Sequence, residues 1–264
     1  MAYTLFDAIL GVGQSLRESY RGVVDSATTT TITDDRFHGD NNYWHEGNLL
    51  LIAAATMRDI ASVSGNVITV TPAMAATATA GSAFMLTPVT YPMAQIIAAI
   101  NLALTSMGRF TQMDASKLTV TDDTIEYSLT GTGYDFRHVV RVEVSTTDAA
   151  PYKWQVNHFW KENDGYLSFQ PGREPTLTGA PMRIWYNAPH AAVSAMADAI
   201  EEAVHPDRLI WEATAWLLRW RYHKSGKDEE TTTATLNEAL AMAAEMARRH
   251  PIERHPRDVQ LNDW

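Results

Sequence analysis

His38, Asp40, His45 and Glu46 lie close together and are side chains able to hold a metal or move a proton. Imidazole and carboxylate suit zinc. The spacing, however, is not the His-Glu-x-x-His of a helical zinc site, and it reads as a polar loop. Three pairs of neighbouring acids come next: Asp34-Asp35, Asp122-Asp123 and Glu201-Glu202. Two carboxylates do acid–base work when they face each other across a cleft. Adjacent residues on a strand or helix point apart, so these pairs are expected on solvated turns and helix surfaces. Gly11-Val12-Gly13 is half of a phosphate loop. It lacks the further glycines, the Lys-Ser/Thr pair and a preceding strand, and reads as a loosened helix. No Gly-x-Ser-x-Gly elbow is present, and the absence of cysteine excludes disulfides, thiolate metal sites and Cys nucleophiles. The expectation is therefore no catalytic residue, no cofactor and no metal.

Aromatic and basic residues offer binding instead of catalysis. Trp211, Trp216 and Trp220 have the makings of a stacking platform for bases. Their helical spacing assigns Trp216 and Trp220 to a core and leaves Trp211 as a contact surface. The last stretch repeats Arg-His-Pro, at Arg249-His250-Pro251 and Arg254-His255-Pro256. Pro251 and Pro256 forbid helix and keep residues 250–264 extended. The segment reads as a docking arm. Arg254 and Arg257 would reach acidic groups or carbonyls of a partner, and Leu261 and Trp264 would fill apolar pockets.

The elements that must position these residues follow from hydrophobic period. Leu5, Ile9, Val12 and Leu16 recur at helical intervals over 4–19. Residues 23–87 change to short β-branched runs: Thr28–Thr33, Leu49–Ala55, 57–63, Val67–Val70 and Phe84–Leu86. Gly65-Asn66 between apolar runs is a hairpin signal. Five short strands in one block predict a small barrel or sandwich. A second helix over 92–107 carries Ile96, Ile97, Ile100, Leu104 and Met107 on one stripe, with Gly108 as its stop. Residues 117–187 alternate again, at Val140–Val144, at Tyr152–Trp160 and at Met182–Tyr186, and predict a second antiparallel sheet with one aromatic, buried face. Helices return at 206–223 and 232–249, where Arg248 and Arg249 suit the C-terminal dipole.

Composition narrows the function classes. A chain of 264 residues with 45% apolar residues can bury a large core. Its net charge of −10 argues against a nucleic-acid binder that works by neutralising phosphates, though an acidic wall leaves passing DNA mobile. Met1–Leu10 has no basic region and is broken by Asp7, so no signal peptide is expected, and no run is long enough to span a bilayer.

Certain segments resemble proteins of tailed bacteriophages. Residues 60–73, reading IASVSGNVITVTPA, and 80–86, reading AGSAFML, look like a β-module common in virion proteins. The passage through Tyr91-Pro92 into a helix with Ala98-Ala99-Ile100-Asn101 resembles phage neck proteins. Leu209–Trp220 is similar to the penultimate helix of head–tail connector proteins. The resemblance covers 1–110 and 206–250 in plan, and 117–187 departs from the small all-helical connectors as an insertion. It implies a portal adaptor in the virion neck, made in the host cytoplasm. Such a protein forms a dodecameric ring with itself and bridges the portal protein to a downstream tail or neck protein. DNA is only the content of its channel, and no membrane is involved. An arm of this kind typically inserts into the portal.

The expected fold is α+β. A helical bundle core is formed by 1–22, 88–112 and 190–250. It carries two inserted antiparallel β-modules, a small barrel at 23–87 and a sheet or sandwich at 113–189, and an extended C-terminal arm at 251–264. Two other functions stay open: another tail or neck component, for tail completion or fibre attachment, and a carbohydrate-binding or hydrolase domain using Trp154, Trp160 and Trp185.

Overall fold

The computed structural model describes residues 2–16, 18–129, 139–147, 149–163, 165–225 and 230–252. The chain divides into two compact units. One joins Met1–Met107 to Ala191–Pro251, and the other is Gly108–His190, to which Ile252 also belongs.

In the first unit, α1 (Leu5–Ser15) starts at a capping box. Asp7 accepts a bond from the Thr4 amide at 3.0 Å, and the Thr4 hydroxyl accepts from the Asp7 amide. A seven-stranded antiparallel sheet follows, in the order β1-β7-β4-β5-β6-β3-β2, and it curls into half a barrel. Its strands are β1 (Tyr20–Val23), β2 (Ser26–Ala27), β3 (Thr31–Thr33), β4 (Asn48–Leu51), β5 (Thr56–Ser64), β6 (Val67–Thr71) and β7 (Ala83–Thr87). One helical turn, α2 (Asn41–Trp44), precedes β4. Of the Thr28–Thr33 run only Thr31–Thr33 is strand, because Thr28 Oγ1 takes the amides of Thr30 and Thr31 and turns the chain between β2 and β3. At the β5–β6 hairpin only Gly65 adopts positive φ, 61°.

The inner face of the half-barrel is apolar: Ile32, Leu49, Ile60, Ile68, Val70 and Phe84 form one buried cluster. Leu50 and Met85 pair across β4 and β7 and alternate to the opposite face, and both are buried. On that face lies α1. A Cβ on Gly13 would stand 2.3 Å from Met85 Cε, and one on Gly11 would stand 2.3 Å from Ile210 Cδ1. The two glycines are thus neither a phosphate loop nor a loosened helix. They let α1 sit directly on β7 and on α4 (Pro206–Ser225). The helix α3 (Met93–Ser106) ends at Gly108, φ 88°, and α5 (Glu230–Arg249) runs back along α4.

The second unit contains two antiparallel sheets over one core. The order β11-β10-β14-β8 joins β11 (Trp154–Asn157), β10 (Val139–Ser145), β14 (Met182–Pro189) and β8 (Arg109–Asp114). The order β12-β13-β9 joins β12 (Trp160–Asn163), β13 (Tyr166–Phe169) and β9 (Glu126–Ser128). Val142, Trp160, Leu167, Phe169, Met182 and Ile184 meet between them. The run Tyr152–Trp160 is therefore not one strand. Asn157 Oδ1 accepts the Phe159 amide at 2.8 Å, the chain turns, and Trp160 enters the other sheet.

The expected helical bundle core is overturned. Strand residues (32%) exceed helical ones (28%), and the first unit is built on a seven-stranded half-barrel, with α1 packed against β7 and α2 contributing Trp44 to the inner cluster. The sequence pattern misleads here for a physical reason. An apolar stripe shows that a helix buries one face, but not whether a helix or a sheet covers it. Likewise β4 is buried throughout, from Asn48 to Leu51, because both its faces are covered.

Replacing Gly13 by Leu tests the close packing. The gain in helix propensity is roughly 0.8 kcal/mol, whereas forcing a side chain into a filled contact costs about 1–3 kcal/mol. A net loss of about 1–2 kcal/mol is expected, read as a lower urea midpoint at unchanged slope.

Candidate functional site

The residues nominated from sequence are not brought into one site. Asp40 Oδ1 caps α2 through the Asn42 amide at 3.0 Å. His45 follows that turn, and Glu46, at φ 63°, bonds backbone to backbone with Ile60. Among the described residues no three His, Asp or Glu side chains group as metal ligands. Asp122 and Asp123 lie exposed on a turn, and Glu202 is exposed. Trp211, Trp216 and Trp220 are all half-buried, so the assignment of the last two to a core fails. Trp216 lies beside Arg219, 5.3 Å from the ring centroid, and Trp220 beside Lys224, at 5.0 Å. These wet, cation-covered rings explain why helical spacing alone misassigns them.

Trp154, Trp160 and Trp185 are separated as well. Trp160 is in the core of the second unit. The register places Trp154 and Trp185 on the outer face of the four-stranded sheet, opposite Ser145 and Arg141. They are two rows apart, roughly 14 Å along the strand direction. Arg183 covers Trp154 at 4.0 Å and faces Glu143 at 3.7 Å. This is no continuous sugar platform.

Arg254, Arg257, Leu261 and Trp264 lie outside the described residues. The foot of that segment is fixed. His250 stacks on His205 with ring centroids 3.5 Å apart and 6° between planes. Arg208 Nη1 donates to the His250 carbonyl at 2.9 Å, while its Nε donates to Glu212 at 2.9 Å. Arg248 and Arg249 both bond Glu245, and these two hydrogen bonds hold its carboxyl below the usual range.

Two polar clusters were invisible in the sequence. In the first, Arg221 of α4 donates to both Glu18 and the Tyr91 hydroxyl, and its guanidinium lies 5.0 Å from the Tyr91 ring centroid. Tyr43 adds bonds to the Glu18 carbonyl and carboxylate, each 3.3 Å, and Thr90 adds one at 3.4 Å. Burial disfavours the charged guanidinium, yet the bonds to Glu18 and Tyr91 prevail and raise its pKa further. Tyr91 is raised by burial and then by the Glu18 charge, and Tyr43 is pushed up to about 12 by the same causes. The second cluster corrects the reading of Asp34 as solvated. Asp34 is fully buried and accepts from Tyr20 at 2.9 Å, from the Arg36 amide at 3.0 Å and from the Val23 amide at 3.3 Å. Gly22 makes room, since a Cβ there would meet Asp34 Oδ2 at 2.2 Å. Burial, then the bond to Asp34, pushes Tyr20 up to about 12.

These arrangements hold segments together. They fix phenols as donors and carboxylates as acceptors, and they present no paired acid and base to a cleft. No protein-family model and no curated protein matches the chain. No helix among the described residues is long and apolar enough to cross a membrane.

Two outcomes are expected. Arg221→Met keeps the apolar stem but strands Glu18 and Tyr91. With the pair about one-fifth and one-third exposed, the loss is below the 3–5 kcal/mol of a fully buried pair, at about 2 kcal/mol by denaturant titration. In alkali, the folded chain holds the Tyr20 proton up to about pH 12, whereas the unfolded chain releases it near pH 10. The folded state then binds more protons, so this stabilisation is full below about pH 10 and is lost between about pH 10 and 12. Tyr20→Phe should flatten that decline in a pH series of urea midpoints.

Proposed function

We propose that this chain is a structural virion protein of a tailed phage, a head-to-tail adaptor that forms a ring under the portal and bridges it to the tail. What carries the reading is the grouping of the segments that resemble neck and connector proteins. Residues 60–86, the Tyr91-Pro92 passage into α3 and the Leu209–Trp220 helix all belong to one compact unit, with α3 packed on α4. The 83 residues from Gly108 to His190 interrupt that unit and fold separately. Asn101, inside the resembling helix, receives the returning chain. Its side chain accepts the Val193 amide at 2.9 Å and donates to the Val193 carbonyl at 2.9 Å.

In this reading the partners are further copies of the chain in a dodecamer, the portal and a downstream tail or neck protein. DNA passes through the channel, kept mobile by the net charge of −10. The protein is not an enzyme and takes no cofactor. Its place is the virion neck. The arm of residues 251–264 reaches the portal, with Arg254 and Arg257 pairing polar groups and Leu261 and Trp264 as anchors.

The test combines the purified chain with assembled portal and images the mixture by electron microscopy. A ring of this chain on the portal is expected. A chain that stays monomeric beside assembled portal defeats the reading, and binding to a tail protein alone makes it a tail-completion factor. Deleting 251–264 should leave the circular dichroism and melting unchanged while releasing the portal. Trp264→Ala should cost about 2–4 kcal/mol per arm, amplified around the ring. Unchanged portal affinity after the deletion removes the docking role of the arm.

A further inference from the structure

Arg58 is half-buried on the inner face of the half-barrel. It lies opposite Leu49 in the β4–β5 register, on the face shared with buried Ile60. Its Nη1 donates only to the neighbouring Met57 carbonyl, at 2.6 Å, and its buried Nε has no partner. No carboxylate meets this guanidinium among the described residues. A half-buried guanidinium with a shielded, unpartnered Nε and no acid of its own is open to an anion supplied from elsewhere. Beside it opens a pocket of about 290 Å³ lined by Leu51, Ala54, Met74, Ala76 and Ala78. That is room for about ten waters at ~30 Å³ each, or for an aliphatic side chain. The ligand it fits is an aliphatic group with a carboxylate next to it.

The chain itself carries such a group. The large apolar side chains exposed among the described residues are Tyr43, Leu102, Met113, Ile125, Tyr152 and Tyr166. Glu18 beside Tyr43 and Asp114 beside Met113 are already hydrogen-bonded. Ile125 follows Asp122 and Asp123 on one turn; both aspartates are exposed, and neither side chain has a partner among the described residues. The turn is preorganised. Asp123 has φ 51°, Thr124 Oγ1 donates to the Asp122 carbonyl at 3.2 Å, and the Ile125 carbonyl accepts the Phe169 amide at 2.8 Å.

We propose that the Arg58 pocket of one copy receives the Asp122–Ile125 turn of a second copy, with Ile125 in the pocket and the aspartates on the guanidinium. Pocket and turn are different patches, one in each unit, so the contact is head-to-tail and propagates until it closes. The proposal rests on the ring reading above and names the contact between its subunits. One knob in one pocket is a small interface, which makes the free chain weakly associating and assembly dependent on a template.

The chain has no cysteine, which makes a crosslinking test clean. Full-length Ala76→Cys and Ile125→Cys variants are mixed under mild oxidation, in concentrated solution and on assembled portal. A crosslinked dimer is expected at least tenfold above either variant alone and above a Leu102→Cys with Ile125→Cys control. The double variant Ala76→Cys/Ile125→Cys should give an oligomer ladder. Arg58→Glu should reduce that ladder at least tenfold, Arg58→Gln less, and adding Asp122→Lys/Asp123→Lys to Arg58→Glu should restore it. Thermal melting establishes that each variant is folded. Crosslinking no better than the control pair, or a ladder indifferent to Arg58→Glu, overturns the contact, as does failure of the charge reversal to rescue. Rings on the portal without the crosslink leave the adaptor reading intact and this contact wrong. Crosslinks without portal binding do the reverse.

Discussion

The first unit is closed by the triangle of Arg221, Glu18 and Tyr91. Its corners come from the end of α4, the loop after α1 and the loop before α3, and Arg221 lies 203 residues from Glu18. The half-barrel and the helices α1 and α3 are complete by Met107, yet they need α4 to cover them. A guanidinium can bind two oxygen partners and lie against a ring at once, so one residue fixes both loops. Around it, Ser15 Oγ meets Thr214 Oγ1 at 2.5 Å, and the Leu5 amide bonds the Asp198 carbonyl at 2.9 Å. Met1–Met107 and Ala191–Pro251 are thereby one compact unit, and the second unit is inserted between them in sequence.

That closure explains which parts of the fold were legible in sequence. Strands and helices announce themselves by local period, and Val67–Thr71, Met93–Ser106 and Pro206–Ser225 were readable for that reason. What covers each element is a long-range matter. The stripe on α1 looked the same whether it faced a helix or β7, and the bundle expectation failed on that point. Asp34 failed similarly. An acidic pair in sequence reads as solvent-facing, and only the Tyr20, Val23 and Arg36 donors make its burial tolerable. Gly22 was the available hint, since a glycine inside a strand often marks a close approach.

The clusters also separate two uses of polar residues in this chain. Glu18, Asp34 and Asn101 are spent on the chain's own segments, each with several partners. Arg58 bonds only the carbonyl of its neighbour Met57 among the described residues. A fold that satisfies Asp34 with three donors does not leave a half-buried guanidinium without an acid for lack of acids, since acids exceed bases by ten. The unsatisfied group is therefore best understood as half of a contact. An interface residue bears its desolvation in the free chain and recovers it on assembly.

On the proposed adaptor reading, the same need arises at the level of the whole protein. It must remain soluble alone and become fixed only when its partner is present. Small complementary patches meet that need better than one broad apolar face. Individually they hold weakly, and together around a closed ring each copy is held on both sides. The chain's low fraction of charged residues, 20%, and its Ala- and Thr-rich loops at 53–56 and 75–80 fit contacts of this kind. Such surfaces are apolar enough to be covered and lack the large side chains that would aggregate before the template arrives.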